Sequence, residues 1–221
     1  MTIPPSPHRL ALRALLASAA CAALLAAPAP AAHATPAAAQ ASPTFSQAGA
    51  TLPGDSLYRL DAGLTDANGS HFVLRDMAGA PLLVTMFYGD CNAACPIIIE
   101  TLKRTVAALG PRARALRVLM ISLDPLNDAP PGLARLADAH QLDRRQFRLA
   151  VASDESQTRM LAAALGIRFR AMDGGQINHT TRIVLLDGAG RVQAASARLD
   201  AVPDPAFLKQ LAHALGAPPA P

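Results

Sequence analysis

The chain has 221 residues, 51% of them hydrophobic, and a formal net charge of +4. That length suits one globular domain with extensions, and the apolar share supplies a core without disulfide staples. No basic run or aromatic-interleaved patch occurs, which argues against a nucleic-acid partner. With only three cysteines in the chain, any close pairing of them carries information.

Residues 1–34 read as an export signal. His8, Arg9 and Arg13 make a basic start, 14–27 (ALLASAACAALLAA) an apolar core, and Ala32-His33-Ala34 a cleavage pattern before Thr35. The apolar core is shorter than the roughly 20 residues of a spanning helix. An uncleaved anchor and lipid attachment at Cys21 are the alternatives. Ser18-Ala19-Ala20-Cys21 lacks the large aliphatic residue that opens a bacterial lipobox, and apolar residues continue beyond it. The expected location is therefore periplasmic, with a tether to the inner membrane as the alternative. There thiols meet oxidants and disulfides persist. Residues 35–50 are small, polar and Pro-containing, and read as a flexible leader. The domain is expected over 51–216, with a short tail at 217–221.

Within it, strand-like and helix-like segments alternate. Residues 82–87 (LLVTMF) form an apolar run fit for a buried strand. After GDCNAA, Pro96 suits a first helical turn. Ile97, Ile98, Leu102, Val106 and Leu109 keep helical spacing until Gly110-Pro111. A second strand is expected over 116–123, ending at Asp124-Pro125. Helices follow at 130–142 and 154–165, separated by a strand at 147–152. A strand at 181–186 turns through Asp187-Gly188-Ala189-Gly190 into 191–196, a hairpin. An amphipathic helix at 204–215 closes the domain. The alternation implies an α/β fold whose central sheet is largely parallel and ends in an antiparallel hairpin.

In such sheets chemistry sits just beyond the carboxyl ends of strands. Cys91 and Cys95 stand there, between the 82–87 strand and the helix after it. At i and i+4 in an opening helical turn, both project on one face. The positive helix terminus favours thiolate, the reactive and ligating form. The pair is thus a redox couple or part of a soft-metal site. An inert disulfide is the bland alternative, but closing so short a loop stabilises by only ~2 kcal/mol.

Two thiolates need a third donor to hold a metal. His71 follows a turn and is expected to be exposed; His140 and His213 fall on helix patterns. His179 sits in the polar loop 173–180 before a strand, where a histidine is either solvated or a ligand. Asp124 either guides metal or caps its loop; for Asp128 capping is expected.

Residues 82–96, LLVTMFYGDCNAACP, resemble the C-x-x-x-C-P segment of the Sco/SenC copper chaperones. Residues 72–79 are similar to that family's lead-in to the strand, 121–130 to its D-P-x-x-D-x-P loop, and Asn178-His179-Thr180-Thr181 to its D-H-S segment. The resemblance covers roughly 52–215. It implies a thioredoxin-like α/β fold, with a central mixed sheet flanked by helices. It also implies copper, Cu(I) or Cu(II), held by Cys91, Cys95 and His179, and a role in maturing the dinuclear copper site of cytochrome c oxidase. The implied partner is that copper-site subunit or another periplasmic copper protein. Thiolates favour Cu(I) and imidazole serves either oxidation state. Asn92-Ala93-Ala94 between the cysteines and Asn178 before the histidine depart from the family pattern, and both departures remove negative charge.

The rival reading is a thiol–disulfide reductase, with Cys91 and Cys95 as its redox pair and a thiol reductant as partner. Thioredoxin-type reductases use C-x-x-C and a cis-proline before a late strand; here the spacing is C-x-x-x-C and no proline occurs between Pro131 and Pro203. A peroxidase of the peroxiredoxin type needs Thr or Ser where Tyr88 stands.

Overall fold

The structure is a computed structural model that describes residues 52–89, 94–200 and 202–216, with the backbone alone at 94 and 95. The signal, the leader, Cys21, Cys91 and the 217–221 tail lie outside the described residues.

Among the described residues, seven strands form one sheet in the order β2-β1-β5-β4-β3-β8-β9. They are β1 (Gly63–Asp66), β2 (His71–Val73), β3 (Leu82–Phe87), β4 (Arg117–Ser122), β5 (Phe147–Ala152), β8 (Ile183–Leu186) and β9 (Val192–Ser196). A separate hairpin joins β6 (Phe169–Ala171) and β7 (Ile177–His179). The helices are α1 (Ala94–Leu109), α2 (Pro130–Ala139), α3 (Glu155–Leu165) and α4 (Pro205–Gly216).

Among the described strands of this sheet, only β3–β4 and β4–β5 pair in parallel; β1–β2, β1–β5, β3–β8 and β8–β9 are antiparallel. The sheet is therefore mixed, and the expectation of a largely parallel one is corrected. The cause is the hairpin of β1 and β2, which precedes the α/β alternation and adds itself antiparallel to the β5 edge. Its strands are three or four residues long, too short for a period-two pattern to stand out.

The middle of the sheet follows directly from sequence. Every residue of β3 is buried, as a strand covered on both faces must be. Pro96 falls in the first turn of α1, where a missing N–H costs nothing. Thr101 and Thr105 are buried on α1, and their hydroxyls donate to the carbonyls of Ile97 and Thr101 one turn back. Asp154 caps α3 by accepting the Gln157 N–H at 2.8 Å, and Gly166 ends it with φ of 68°. Helices α1 and α4 pack together, while α2 and α3 lie against β5.

Candidate metal centre

The parallel pair β3–β4 runs in register from Leu82↔Arg117 to Phe87↔Ser122, so both strands end side by side. Beyond β3 come Tyr88, Gly89 and the segment holding Cys91. Cys95 lies in the first turn of α1, as the proline and the apolar spacing require. Cys91 and the side chain of Cys95 are not among the described atoms. Among the described residues, no group of three His, Cys, Asp or Glu side chains is placed to hold a metal ion.

His179 is not in an irregular loop. It is the last residue of β7, opposite Phe169 of β6. Cross-strand partners project from the same face of a hairpin, and Phe169 and Ile177 pack partly against the core. His179 is thereby turned inward and half-buried. Its ring meets that of Tyr88 edge-on, with centroids 5.9 Å apart and planes at 85°, a geometry aromatic rings favour. The contact brings the histidine to the end of the strand that leads into Cys91. Asn178, opposite Arg170, alternates onto the other, exposed face.

The ring also has a polar neighbour. His179 Nδ1 lies 3.2 Å from the Thr180 carbonyl oxygen. A carbonyl only accepts, so this contact is a hydrogen bond in the tautomer that carries its proton on Nδ1, which leaves the lone pair on Nε2. Fixing one ring nitrogen this way is how proteins prepare the other as a ligand.

The 124–128 loop lies next to this end of the sheet. The Asp124 carboxylate accepts from Asn127, through the backbone N–H at 3.2 Å and the side-chain amide at 3.0 and 2.9 Å. It holds its own turn, which favours the capping alternative at that residue. Asp128 does not cap α2: the residue preceding that helix is Ala129, and no side chain caps it. Instead Asp128 Oδ2 accepts the Gly89 N–H at 2.8 Å and the Ser122 hydroxyl. Sequence reasoning missed Tyr88, Gly89 and Ser122. The single-glycine break after a six-residue apolar run was their only local signal.

The other histidines among the described residues are His71, His140 and His213. His71 is exposed, and its Nδ1 lies 2.9 Å from Thr65 Oγ1. His140 follows α2 and is half-buried, and His213 is exposed on α4.

Residues 57–214 match the family model described as SCO1/SenC. A SCO1/SenC family lipoprotein from Bacillus anthracis str. Ames is similar at 16% identity, covering 70% of this chain and 94% of that one, with a TM-score of 0.64. Bradyrhizobium japonicum ScoI, solved with copper bound, is 20% identical over 70% and 94% of the two chains, with a TM-score of 0.56. BsSco, a member of the Sco family of cytochrome c oxidase assembly proteins in which a disulfide switch was identified, is 18% identical over 69% and 90%, with a TM-score of 0.60. No curated protein matches the chain. The fold is thus the thioredoxin-like α/β arrangement with a mixed central sheet, and with a family model matching most of its length the chain belongs to the SCO1/SenC family.

Proposed function

We propose that this protein is an exported copper metallochaperone that delivers copper to, or prepares, the dinuclear copper site of cytochrome c oxidase. Copper is its cargo, and Cys91, Cys95 and His179 are the donors. The observation that carries the reading is the ring contact between His179 and Tyr88, which sets a half-buried imidazole beside the approach to the cysteine pair. The donor chemistry fits: two thiolates suit Cu(I), and an imidazole nitrogen with its lone pair free of the proton suits either oxidation state.

The chain's own residues divide the work. Cys91 and Cys95 bind through sulfur, and Cys95 stands in the first turn of α1, whose positive end favours the thiolate. His179 would bind through Nε2 when its Nδ1–H is donated to the Thr180 carbonyl. A general thiol–disulfide reductase needs only the cysteine pair and an approach path; a half-buried histidine against Tyr88 has no part in that exchange. Membership in the family and the copper held by the Bradyrhizobium relative support the same choice. Export, by a cleaved signal or with a lipid or uncleaved tether, agrees with the lipoprotein relative.

The test is copper content per chain, measured by elemental analysis after full reduction and loading. One copper per chain is expected, with none retained when Cys91 and Cys95 are both replaced by serine. Equal copper in that double variant would sink the proposal.

A further inference from the structure

We propose that Asp128 is a positioning residue for the cysteine segment, an inference that rests on the copper site proposed above. Its carboxylate spans the carboxyl ends of the neighbouring parallel strands β3 and β4. The ladder between them stops at Phe87↔Ser122, so the Gly89 N–H lies past the last register pair. Asp128 Oδ2 accepts that N–H at 2.8 Å, and the buried Ser122 Oγ donates to the same oxygen.

The anchor itself is held. Ser122 Oγ accepts the Asp124 N–H at 2.9 Å, and the Asp128 N–H donates to the Asp124 carbonyl at 2.9 Å. The Leu123 N–H donates to the Phe87 carbonyl at 2.6 Å, adding one more tie between the strand ends. Gly89 completes the fit, because a Cβ there would overlap Asp128 Oδ1. Gly89 is two residues before Cys91, and Tyr88 beside it touches His179. One carboxylate thus sets the direction in which the chain leaves β3, between the histidine contact and the first cysteine. It does so by hydrogen bonding rather than as a metal ligand.

Both donors converge on one oxygen, and an amide oxygen has two lone pairs to receive them. Asparagine should therefore replace aspartate, and alanine should not. The test compares wild type, Asp128→Ala, Asp128→Asn and Gly89→Ala. The measurements are copper affinity by chelator competition, the Cys91–Cys95 dithiol–disulfide equilibrium against glutathione, and thermal melting. Asp128→Ala is expected to weaken copper binding at least tenfold and to shift the glutathione equilibrium several-fold, with Asp128→Asn within about threefold of wild type. Gly89→Ala, which displaces the carboxylate without removing it, should copy the alanine variant and carries the test if that variant does not fold. Affinity and exchange constants within twofold of wild type in Asp128→Ala or Gly89→Ala overturn the inference. So does an asparagine variant as impaired as alanine, since charge and not positioning would then be at work. His179→Ala run alongside separates the failures. Copper binding indifferent to His179 counts against the site reading, whereas binding that needs His179 but not Asp128 sinks this inference alone.

Discussion

The two ends of the parallel strands are both fastened by polar side chains, yet to different purpose. At the amino ends, Arg117 donates to the Met77 and Ala78 carbonyls, and Gln146 to those of Ala113 and Leu116. Arg148 lies 3.5 Å over the Phe72 ring and pairs with the buried Asp66 at 2.7 Å. Asp66 also accepts the Asn68 and Ser70 N–H groups, closing the β1–β2 turn. These bonds join core segments to one another and end there. At the carboxyl ends, Asp128 and Ser122 fasten Gly89, and the chain continues into the cysteine segment. On the proposed reading, such bonds serve stability at one end and donor placement at the other.

The sharpest way to break that contrast is at the carboxyl end. Replacing Cys91 by serine should reduce Cu(I) affinity by at least a hundredfold, read by competition with a Cu(I) chelator, because a hard hydroxyl replaces a soft thiolate. Its melting temperature should stay near that of the reduced wild type. A large fall in melting temperature with copper affinity retained would place Cys91 among the structural residues instead.

At the amino end the expectation reverses. Asp66→Ala leaves Arg148 and two backbone N–H groups without their acceptor and should cost about 3 kcal/mol of stability in urea unfolding. Copper affinity of the folded fraction should not change. A copper defect larger than about threefold would mean that the two ends are coupled.

A smaller effect sharpens the same point through pH. Burial alone would raise the Asp66 pKa, but the Arg148 hydrogen bond and the Ser70 and Asn68 N–H groups outweigh it and hold the carboxyl below its usual value. A lowered folded pKa means that the ionised form is stabilised on folding. That contribution is fully present above the unfolded value of about 3.9 and is lost as pH falls through the lower folded one. Acid melts should show wild type losing stability below about pH 4, with a shallower loss in Asp66→Asn. Parallel acid profiles would remove Asp66 from the account.

What could be read in the chain beforehand follows the same division. The elements around the cysteine pair were legible because β3 is an unbroken buried run and α1 opens on a proline and stops before glycine and proline. Strand β5 was legible from the apolar residues around its one half-buried break, Arg148. His179 looked like a loop residue because β7 has three residues and a polar sequence, and its order comes from pairing with β6. Its inward turn depends on Phe169, ten residues earlier, which no local pattern reveals. Asp128 resembled a helix cap by position, two residues before Pro130. That its carboxylate reaches Gly89 instead is a contact across two strands, which spacing along the chain cannot express.

The central claim is that His179 completes a three-donor copper site with Cys91 and Cys95. Cu(II) probes it best, since that ion prefers a tetragonal set in which imidazole is a favoured donor. The measurement is a chelator competition titration of Cu(II) on wild type and His179→Ala, with thiol labelling to follow the Cys91–Cys95 disulfide in copper-free protein. The account predicts Cu(II) affinity lower by a factor of about ten to a hundred in the variant, on the order of 1.4 to 2.7 kcal/mol, with the disulfide forming as readily as in wild type. Equal Cu(II) affinities would contradict it, taking His179 out of the site and leaving the cysteine pair to act as a reductase.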